Sequence, residues 1–374
     1  MKILLTVTDT GMGGVTTAAV NFSNELIKRG HEVVFLDMSG KHSVRDNLDS
    51  SVKLGELSGR SRYWQLGAGD LSRVGGVKKL FFAAIGLIKK ITIRSGLWHR
   101  LVFNKYKEYG EFDVAIAYRQ CAPCYSFVLN KVKAKKKLGF VHGELAYMGD
   151  ISSWQKYMKR FDNVCYVSRA VKDQFVEKYP ELEKNAAVVY NVVDEDRIKE
   201  LAKEMPEHEF DKNIINFITV SRIENGIKGS ERIPEIAKML CDNGMDFRWY
   251  IVGDGPDGAL CEATVKEKGV ADRVIFVGSK ENPFPYLASA NASVSISRTE
   301  SFGLSVLESL VCGTPVIAGE YPALKEISEF YSGVISVENS AYAIAEAMAE
   351  FSKKQDIVNV SFVNEKIIWN EYLF

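Results

Sequence analysis

The sequence predicts an α/β protein of two doubly wound domains, each a parallel sheet covered by helices on both faces. The chain has 374 residues, more than one hydrophobic core usually organises. Short β-branched or aromatic runs alternate with helix-length segments throughout, as expected for parallel sheets with crossover helices. The two halves also differ in charge. Residues 1–190 are basic, with 30 Lys+Arg and 18 Asp+Glu, and residues 191–374 are acidic, with 18 Lys+Arg and 30 Asp+Glu.

Eleven apolar runs are predicted as strands. They are Ile3–Val7, Glu32–Asp37, Asp113–Tyr118, Leu138–Val141, Val164–Val167 and Val188–Tyr190 in the front half, and Asn216–Val220, Arg248–Val252, Val274–Val277, Ala292–Ile296 and Val316–Ala318 in the back half. We therefore expect domains over residues 1–190 and 191–355. Residues 356–374 are predicted to form a helix that crosses back and completes the first domain.

Two helices have clear ends in the sequence. After Gly13 and Gly14, apolar residues recur with helical spacing until Gly30, which ends the helix. A second helix is predicted over Ser305–Cys312, before Gly313. Both helices begin at glycines, where free backbone N–H groups and the positive end of the helix dipole favour an anion.

Composition limits the class of protein. The longest apolar run, Leu80–Ile88, is far shorter than the ~20 residues that span a bilayer. The first residues read as a core strand rather than a signal peptide, and six irregularly spaced cysteines fit a reducing compartment. We expect a cytoplasmic protein. The basic front half carries no RNA-recognition, zinc-finger or helix-turn-helix signature, so no nucleic-acid partner is expected.

The segment Lys78–Leu101 has basic residues on one helical face and apolar residues on the other. Two interpretations remain open. The segment docks on an anionic membrane surface, which would place the protein peripherally at the inner face of the membrane, or its apolar face packs on its own domain.

The first glycine loop, GMGG at residues 11–14, resembles half of a dinucleotide-binding fingerprint. Asp37 closes the second strand, where an acid that binds ribose would lie, but Thr16 occupies the third glycine position. We therefore favour proximity to a phosphate, with a tight turn that needs glycine as the structural alternative.

Three groups of residues in the back half follow strands. Arg222 and Lys228 follow one strand, Gly253 follows the next, and the segment from Glu300 to Glu308 follows a third. Because the carboxyl ends of parallel strands meet at one edge of a sheet, we expect these groups to converge there.

The residue types at this edge suit a diphosphate and a sugar. The backbone N–H groups of Gly303 and Leu304, together with the two cations, would bind phosphate oxygens, while the two glutamates would accept hydrogen bonds from sugar hydroxyls. A glycosidase-type acid/base pair is the rival interpretation of the glutamates, but it leaves the cations and glycines unexplained.

An ordered set of motifs extends this interpretation. From GMGG the set continues through VHGEL, VSRAV, NVVD, SRIENGIKG, IVGDGP, VIFVG, ESFGLSVLE and CGTPVIA. In this order, and over nearly the whole chain, the sequence resembles the retaining glycosyltransferases of family four that build bacterial capsules, exopolysaccharides and lipopolysaccharides. The resemblance implies the GT-B fold, in which two Rossmann-like domains face a central cleft.

The resemblance also implies an activity: metal-independent transfer, without a cofactor, from a nucleotide diphosphate sugar, with UDP favoured, to a glycan or lipid-linked acceptor. It places Glu300 at the donor-sugar hydroxyls, Glu308 at the ribose, Arg222 and Lys228 at the diphosphate and His142 near the reacting sugar. The residues that it implies as further donor contacts are Gly13, Gly14, Gly253, Phe302, Gly303 and Leu304.

Alternatives to this activity remain. A nucleotide-sugar epimerase shares the fold, and a non-catalytic nucleotide- or glycan-binding protein would retain the same sites. Asp194 and Asp196 form the D-x-D of metal-dependent transferases, although they precede a helical run and suit an N-cap better. Cys121 and Cys124 have the spacing of a redox pair, with small-residue packing as the alternative.

Overall fold

The computed structural model describes residues 1–8, 13–41, 44–59, 61, 64, 83–84, 86–88, 90, 97–354 and 360–361. Contacts divide the chain after Val192 into two compact units. Unit 1 is built on Met1–Val192, and unit 2 begins at Val193.

The described strands of unit 1 form one parallel sheet. They are β1 (Lys2–Val7), β2 (Glu32–Asp37), β3 (Lys53–Gly55), β4 (Phe112–Ala117), β5 (Ala134–Val141), β6 (Asn163–Tyr166) and β7 (Ala186–Val188). Their order is β3-β2-β1-β4-β5-β6-β7, and every pair is parallel. The order reverses between β1 and β4, so the carboxyl ends of these two strands form the switch point of unit 1.

The described α-helices of unit 1 lie between these strands. They are α1 (Gly14–Lys28), α2 (Leu97–Val102), α3 (Ala122–Lys131), α4 (Ser152–Met158) and α5 (Arg169–Lys178). Helix α1 buries Ala18, Ala19, Phe22 and Leu26, the apolar positions that predicted it. The sheet is buried on both faces, because β1 carries five consecutive buried residues.

Unit 2 repeats the same architecture. Its strands are β8 (Ile215–Val220), β9 (Phe247–Val252), β10 (Val274–Gly278), β11 (Ala292–Ser295), β12 (Val316–Gly319) and β13 (Val334–Val337). The order is β10-β9-β8-β11-β12-β13, again fully parallel, with the reversal between β8 and β11. Its α-helices are α6 (Glu195–Leu201), α7 (Ile233–Asp242), α8 (Gly258–Glu267), α9 (Phe284–Ser289), α10 (Leu304–Val311), α11 (Pro322–Ser328) and α12 (Ala341–Lys354).

The core of unit 2 is apolar and includes a buried hydrogen-bonded pair, Trp249 and Thr219. Trp249 is fully buried, and its indole Nε1 donates to Thr219 Oγ1 at 3.0 Å. Thr219 Oγ1 in turn donates to the Val294 carbonyl at 2.7 Å, which ties β8 to β11. This bond fixes the two strands on either side of the switch point.

The predicted fold class of two doubly wound parallel sheets is confirmed. The short strands β3 and β13 were not predicted. The tail at residues 356–374, apart from residues 360–361, and most of Lys78–Leu101 lie outside the described residues. Among the residues that are described, no helix combines the length and apolarity needed to cross a bilayer.

Candidate functional site

The carboxyl ends of β8 and β11 border a small pocket in unit 2. The lining residues that carry hydroxyl groups are Thr219, Ser221, Ser293, Ser295, Ser297 and Ser305. The apolar lining residues are Val220, Val294, Ile296 and Val306. Residues 219–221 come from the end of β8, residues 293–297 from β11 and the residues after it, and residues 305–306 from the first turn of α10. Because this is the switch point of the sheet, it is where ligands of such folds bind.

Helix α10 starts at this pocket with its amino end uncapped. Its N-cap residue, Gly303, has φ 98° and ψ 54°, in the left-handed region, and no side chain caps the first turn. A Cβ atom at Gly303 would lie 2.5 Å from the Tyr321 hydroxyl. The first turn also carries no acidic residue. The backbone N–H groups there can therefore receive an anion.

Lys228 and Glu300 form an ion pair beside the same helix start. Lys228 Nζ lies 2.6 Å from Glu300 Oε1, with side-chain exposures of 27% and 17%. Ser297 Oγ donates to the same carboxylate oxygen at 2.8 Å. The structure therefore brings together two of the predicted catalytic residues and adds a serine that the sequence analysis did not single out.

Backbone contacts join the loop that carries Lys228 to the segment after β11. Gly229, with φ 70°, lies so close to β11 that a Cβ atom would meet the Ile296 carbonyl oxygen at 2.3 Å. The Arg298 N–H donates to the Ile227 carbonyl at 2.9 Å. These contacts join the Lys228 loop to the segment after β11, and the ion pair with Glu300 follows from them.

Gly253 lies where the loop after β9 crosses the loop after β8. It has φ 147°, and a Cβ atom there would meet the Ser221 carbonyl oxygen at 1.9 Å. At Gly255 the same addition would meet the Ile223 carbonyl oxygen at 2.1 Å. Close backbone packing thus requires glycine at both positions. The donor contact expected of Gly253 stays a prediction.

Arg222 differs from the expected arrangement. Its guanidinium Nη1 lies 3.3 Å from Glu224 Oε2, and its side chain is 62% exposed. The sequence predicts that Arg222 lies beside Lys228 and the two glutamates. In the described contacts Arg222 instead pairs with Glu224, two residues further along the same loop.

Glu308 lies in the second turn of α10. The residue is partly exposed, but protein atoms surround its carboxyl group, and this burial raises its pKa to about 7. Among its neighbours in the sequence, the side chain of Phe302 is buried, while Leu304 is partly buried. Such a carboxyl group can accept a hydrogen bond from a neutral hydroxyl or, when protonated, donate one to it. It is poorly suited to bind phosphate, because the ionised form carries the same sign of charge.

The predicted glycines of unit 1 lie at the start of α1. Gly13 is its N-cap residue and Gly14 its first residue, with no side-chain cap and no acidic residue in the first turn. Within the described residues, a Cβ atom at Gly13 would meet nothing within 4 Å, so packing against them does not explain the glycine. The preceding Gly11 and Met12 lie outside the described residues.

His142 follows β5 and is buried. Its ring lies against Tyr118, with centroids 4.5 Å apart, and stacks on Phe140 at 5.7 Å. Burial lowers the pKa of His142 to about 3, with the nearby Arg119 acting in the same direction and the Tyr118 carbonyl against it. At neutral pH the imidazole is therefore uncharged and can exchange hydrogen bonds with a ligand without adding a positive charge.

Asp194, the first acid of the D-x-D motif, and Glu195, which lies between the two acids, have structural partners. The Asp194 side chain accepts from the Arg197 N–H at 3.2 Å and so caps α6, the role that the sequence favoured. Glu195 Oε1 accepts from the Tyr331 hydroxyl at 2.6 Å. Within the described ranges, no group of three His, Cys, Asp or Glu side chains is placed to hold a metal ion.

Cys121 and Cys124 lie at the start of α3, close to β1. Cys124 is fully buried, its Sγ is 3.2 Å from Thr6 Oγ1, and burial raises the pKa of its thiol to about 12. Because the thiolate is the reactive form, this environment favours packing over redox chemistry.

Known proteins with related sequences cover both units. The family model described as glycosyltransferase family 4 matches residues 12–197, and the model described as glycosyl transferases group 1 matches residues 194–365. Among curated relatives, the N-acetyl-alpha-D-glucosaminyl L-malate synthase of Bacillus anthracis is 30% identical over 172 residues, which is 43% of each chain. A GDP-mannose-dependent phosphatidylinositol dimannoside mannosyltransferase of Mycobacterium tuberculosis is 37% identical over 122 residues, 32% of this chain and 31% of that protein. The matched regions thus span less than half of these relatives.

Solved structures align with almost the entire chain. HepE of Anabaena in complex with UDP has a TM-score of 0.66 at 14% identity, covering 96% of this chain and 92% of that one. Sucrose-phosphate synthase of Thermosynechococcus elongatus has a TM-score of 0.67 at 17% identity, covering 96% and 91%. At these identities the likeness shows the fold, which is GT-B. With one model matched to each half, the chain belongs to glycosyltransferase family four.

Proposed function

We propose that this protein is a retaining glycosyltransferase that moves a sugar from a nucleotide diphosphate sugar to a glycan or lipid-linked acceptor in polysaccharide biosynthesis. The observation that carries the proposal is the Lys228–Glu300 pair at 2.6 Å, beside the uncapped start of α10 at the switch point of unit 2. Unit 2 would hold the donor and unit 1 the acceptor.

The residues present supply what a departing diphosphate needs. Lys228 offers a full positive charge and the first turn of α10 offers N–H groups, so both would stabilise the negative charge that develops on the leaving group. By analogy with oxyanion sites, the loss of one such donor costs about 3 kcal/mol of transition-state stabilisation. The Glu300 carboxylate would accept hydrogen bonds from the donor sugar.

We propose front-face substitution for the transfer itself. The bond between the sugar anomeric carbon and the phosphate oxygen breaks while the acceptor oxygen bonds to the same carbon from the same face. The acceptor proton passes to the departing phosphate. This scheme assigns no nucleophile to the protein and needs no metal, so activity should persist in the presence of a chelator.

A UDP-sugar is the favoured donor. Support comes from HepE, a protein of the same fold solved with UDP and with UDP-glucose. The mycobacterial relative is named for GDP-mannose, so GDP-sugars form the second class to test. Melting temperatures measured with a panel of UDP-, GDP- and ADP-sugars should rise with the true donor, because a ligand that binds only the folded state stabilises it.

The Glu308→Ala variant tests catalysis. We expect a large loss of donor turnover in the full chain, with the fold retained by circular dichroism. Unchanged turnover would contradict the proposal. A free, altered sugar nucleotide formed without an acceptor would point to an epimerase, and nucleotide binding without any turnover would point to a non-catalytic binding protein.

We further propose that the front half docks peripherally on the anionic inner face of the membrane. Residues 1–190 carry 30 Lys+Arg against 18 Asp+Glu. In the described part of Lys78–Leu101, Leu87 is 61% exposed and Ile88 is 47% exposed, which suits docking, whereas Trp98 is 4% exposed and packs in the core of unit 1. Sedimentation with liposomes should show binding to anionic vesicles and not to neutral ones; equal binding to both, or to neither, would contradict docking.

A further inference from the structure

Ser297 shares a single carboxylate oxygen of Glu300 with Lys228. Ser297 is buried, with 4% exposure, and its hydroxyl donates to Glu300 Oε1 at 2.8 Å. Lys228 Nζ donates to the same oxygen at 2.6 Å. Because both donors converge on Oε1, the other oxygen, Oε2, is left for a further donor.

We propose that Ser297 is a positioning residue for the transfer, one that holds Glu300 so that Oε2 faces the donor sugar. The inference rests on the proposed function, since it takes Glu300 as the residue that accepts from sugar hydroxyls. In this role Ser297 needs no contact with the sugar or the diphosphate. It acts through the orientation of the carboxylate.

The backbone of Ser297 is held by Asn339, which follows β13 at the carboxyl-end edge of the same sheet. Asn339 Nδ2 donates to the Ser297 carbonyl at 3.2 Å and to the Arg298 carbonyl at 3.0 Å. The buried Arg232 orients that amide, with Nη1 2.5 Å from Asn339 Oδ1 and 3.3 Å from the Ile296 carbonyl. A hydroxyl on such a fixed backbone has one position from which it reaches Glu300.

A neutral donor has an advantage over a second cation at this place. When a diphosphate binds, its negative charge attracts the Lys228 ammonium away from Glu300. The Ser297 hydroxyl carries no net charge and is not drawn to the phosphate in the same way. It therefore keeps the carboxylate oriented in the complex, when the orientation matters for the sugar.

The Ser297→Ala variant of the full chain separates positioning from general structure. The first probe is whichever sugar nucleotide stabilises the wild type most; the candidates are UDP-glucose, UDP-galactose, UDP-N-acetylglucosamine and GDP-mannose. The second probe is the matching nucleoside diphosphate without the sugar. We expect the affinity for the sugar nucleotide to fall about 10- to 100-fold, as for one hydrogen bond to a charged group. Affinity for the diphosphate alone should not change, because Glu300 contacts the sugar.

Two further variants make the test specific. Ser297→Thr keeps a hydroxyl and should restore most of the affinity. In the Glu300→Gln background, Ser297→Ala should add little, because the residue through which it acts is already altered. Ser289→Ala is the matched control: its hydroxyl donates to the Pro285 carbonyl in α9 at 2.7 Å, and its loss should leave both affinities unchanged.

The outcomes distinguish the two proposals. If the wild type binds none of the sugar nucleotides, the proposed function fails. If the wild type binds one of them and Ser297→Ala binds it equally well, only the positioning role is overturned. An equal loss of affinity for the sugar nucleotide and the plain diphosphate, or the same loss in the Glu300→Gln background, also overturns it.

Discussion

Glu308 keeps its carboxyl group among protein atoms, and burial alone raises its pKa from 4.5 to about 7. A folded pKa above the unfolded one means that the native state binds more protons between these two values. Ionisation of Glu308 therefore costs stability as the pH rises. Ribose hydroxyls at this site would give the carboxyl group hydrogen-bonding partners.

We predict that Glu308→Gln removes this pH dependence. In the wild type, the contribution of Glu308 to the free energy of unfolding is highest below pH 4.5. It falls as the pH rises from 4.5 to about 7 and stays at the lower value above that pH. The full difference is up to about 3 kcal/mol. Urea unfolding of both proteins from pH 4.5 to 8 should show the variant gaining stability relative to the wild type as the pH rises. Parallel curves would contradict the prediction.

His142 gives the opposite slope at acid pH. Its folded pKa, about 3, lies below the ordinary value of 6.5, so the unfolded chain binds the proton first as the pH falls. We predict that His142→Phe, which retains an aromatic ring beside Phe140 and Tyr118, loses less stability than the wild type between pH 6.5 and 4. Urea unfolding at pH values from 6.5 to 4 measures this difference in the free energy of unfolding. If the wild type and the variant lose the same stability over this range, the imidazole is not buried in its neutral form.

Helix α10 depends on one backbone conformation at its start. Gly303 has φ 98°, and a Cβ atom there would also crowd the Tyr321 hydroxyl at 2.5 Å. An alanine must therefore adopt a strained backbone and displace a buried neighbour. The first turn of α10 would shift together with the N–H groups that point into the pocket.

Backbone strain alone is expected to cost about 1–3 kcal/mol. We predict that Gly303→Ala lowers the free energy of unfolding by more than this. Gly269→Ala is the matched control, since Gly269 has φ 69° and a Cβ atom there would meet nothing within 4 Å. Urea unfolding of both variants isolates the effect of crowding. Equal losses would show that crowding by Tyr321 adds nothing.

Most strands could be predicted from the sequence, but the edge strands β3 and β13 could not. Central strands such as β1 and β9 are continuous apolar runs, because both of their faces are buried. Strand β3 has only three residues, including a lysine and a glycine, too few to show any periodicity. Strand β13 consists of strand-forming residues but is only partly buried, and it is defined by its pairing with β12.

The charged residues and glycines of the candidate site were visible in the sequence because they follow predicted strands. Ser297 and Asn339 were not, because serine and asparagine are common in loops and these two are 42 positions apart. Arg222 shows the converse limit. Its position in a loop after a strand could be predicted, but the exposed contact of its side chain with Glu224 could not.

At the scale of the whole molecule, two units with separate cores can respond separately to a ligand. We predict that a nucleotide diphosphate slows amide hydrogen exchange most strongly in unit 2, at the ends of β8 and β11 and in the first turn of α10. At a ligand concentration 100 times the Kd, binding stabilises the folded state by about 2.7 kcal/mol. Mass-spectrometric exchange with and without UDP and GDP would measure this. Protection confined to unit 1 would contradict the assignment of the donor site.

The bonds from Asn339 to the segment after β11 set an order of events during synthesis. A ribosome releases the chain from its amino end, so Lys228, Ser297 and Glu300 emerge before the amide that secures them. Until Asn339 arrives, a nascent or prematurely terminated chain carries Lys228, Ser297 and Glu300 without the bonds from Asn339 to the Ser297 and Arg298 carbonyls. Under the proposed function, such a fragment should bind sugar nucleotides less well than the full chain.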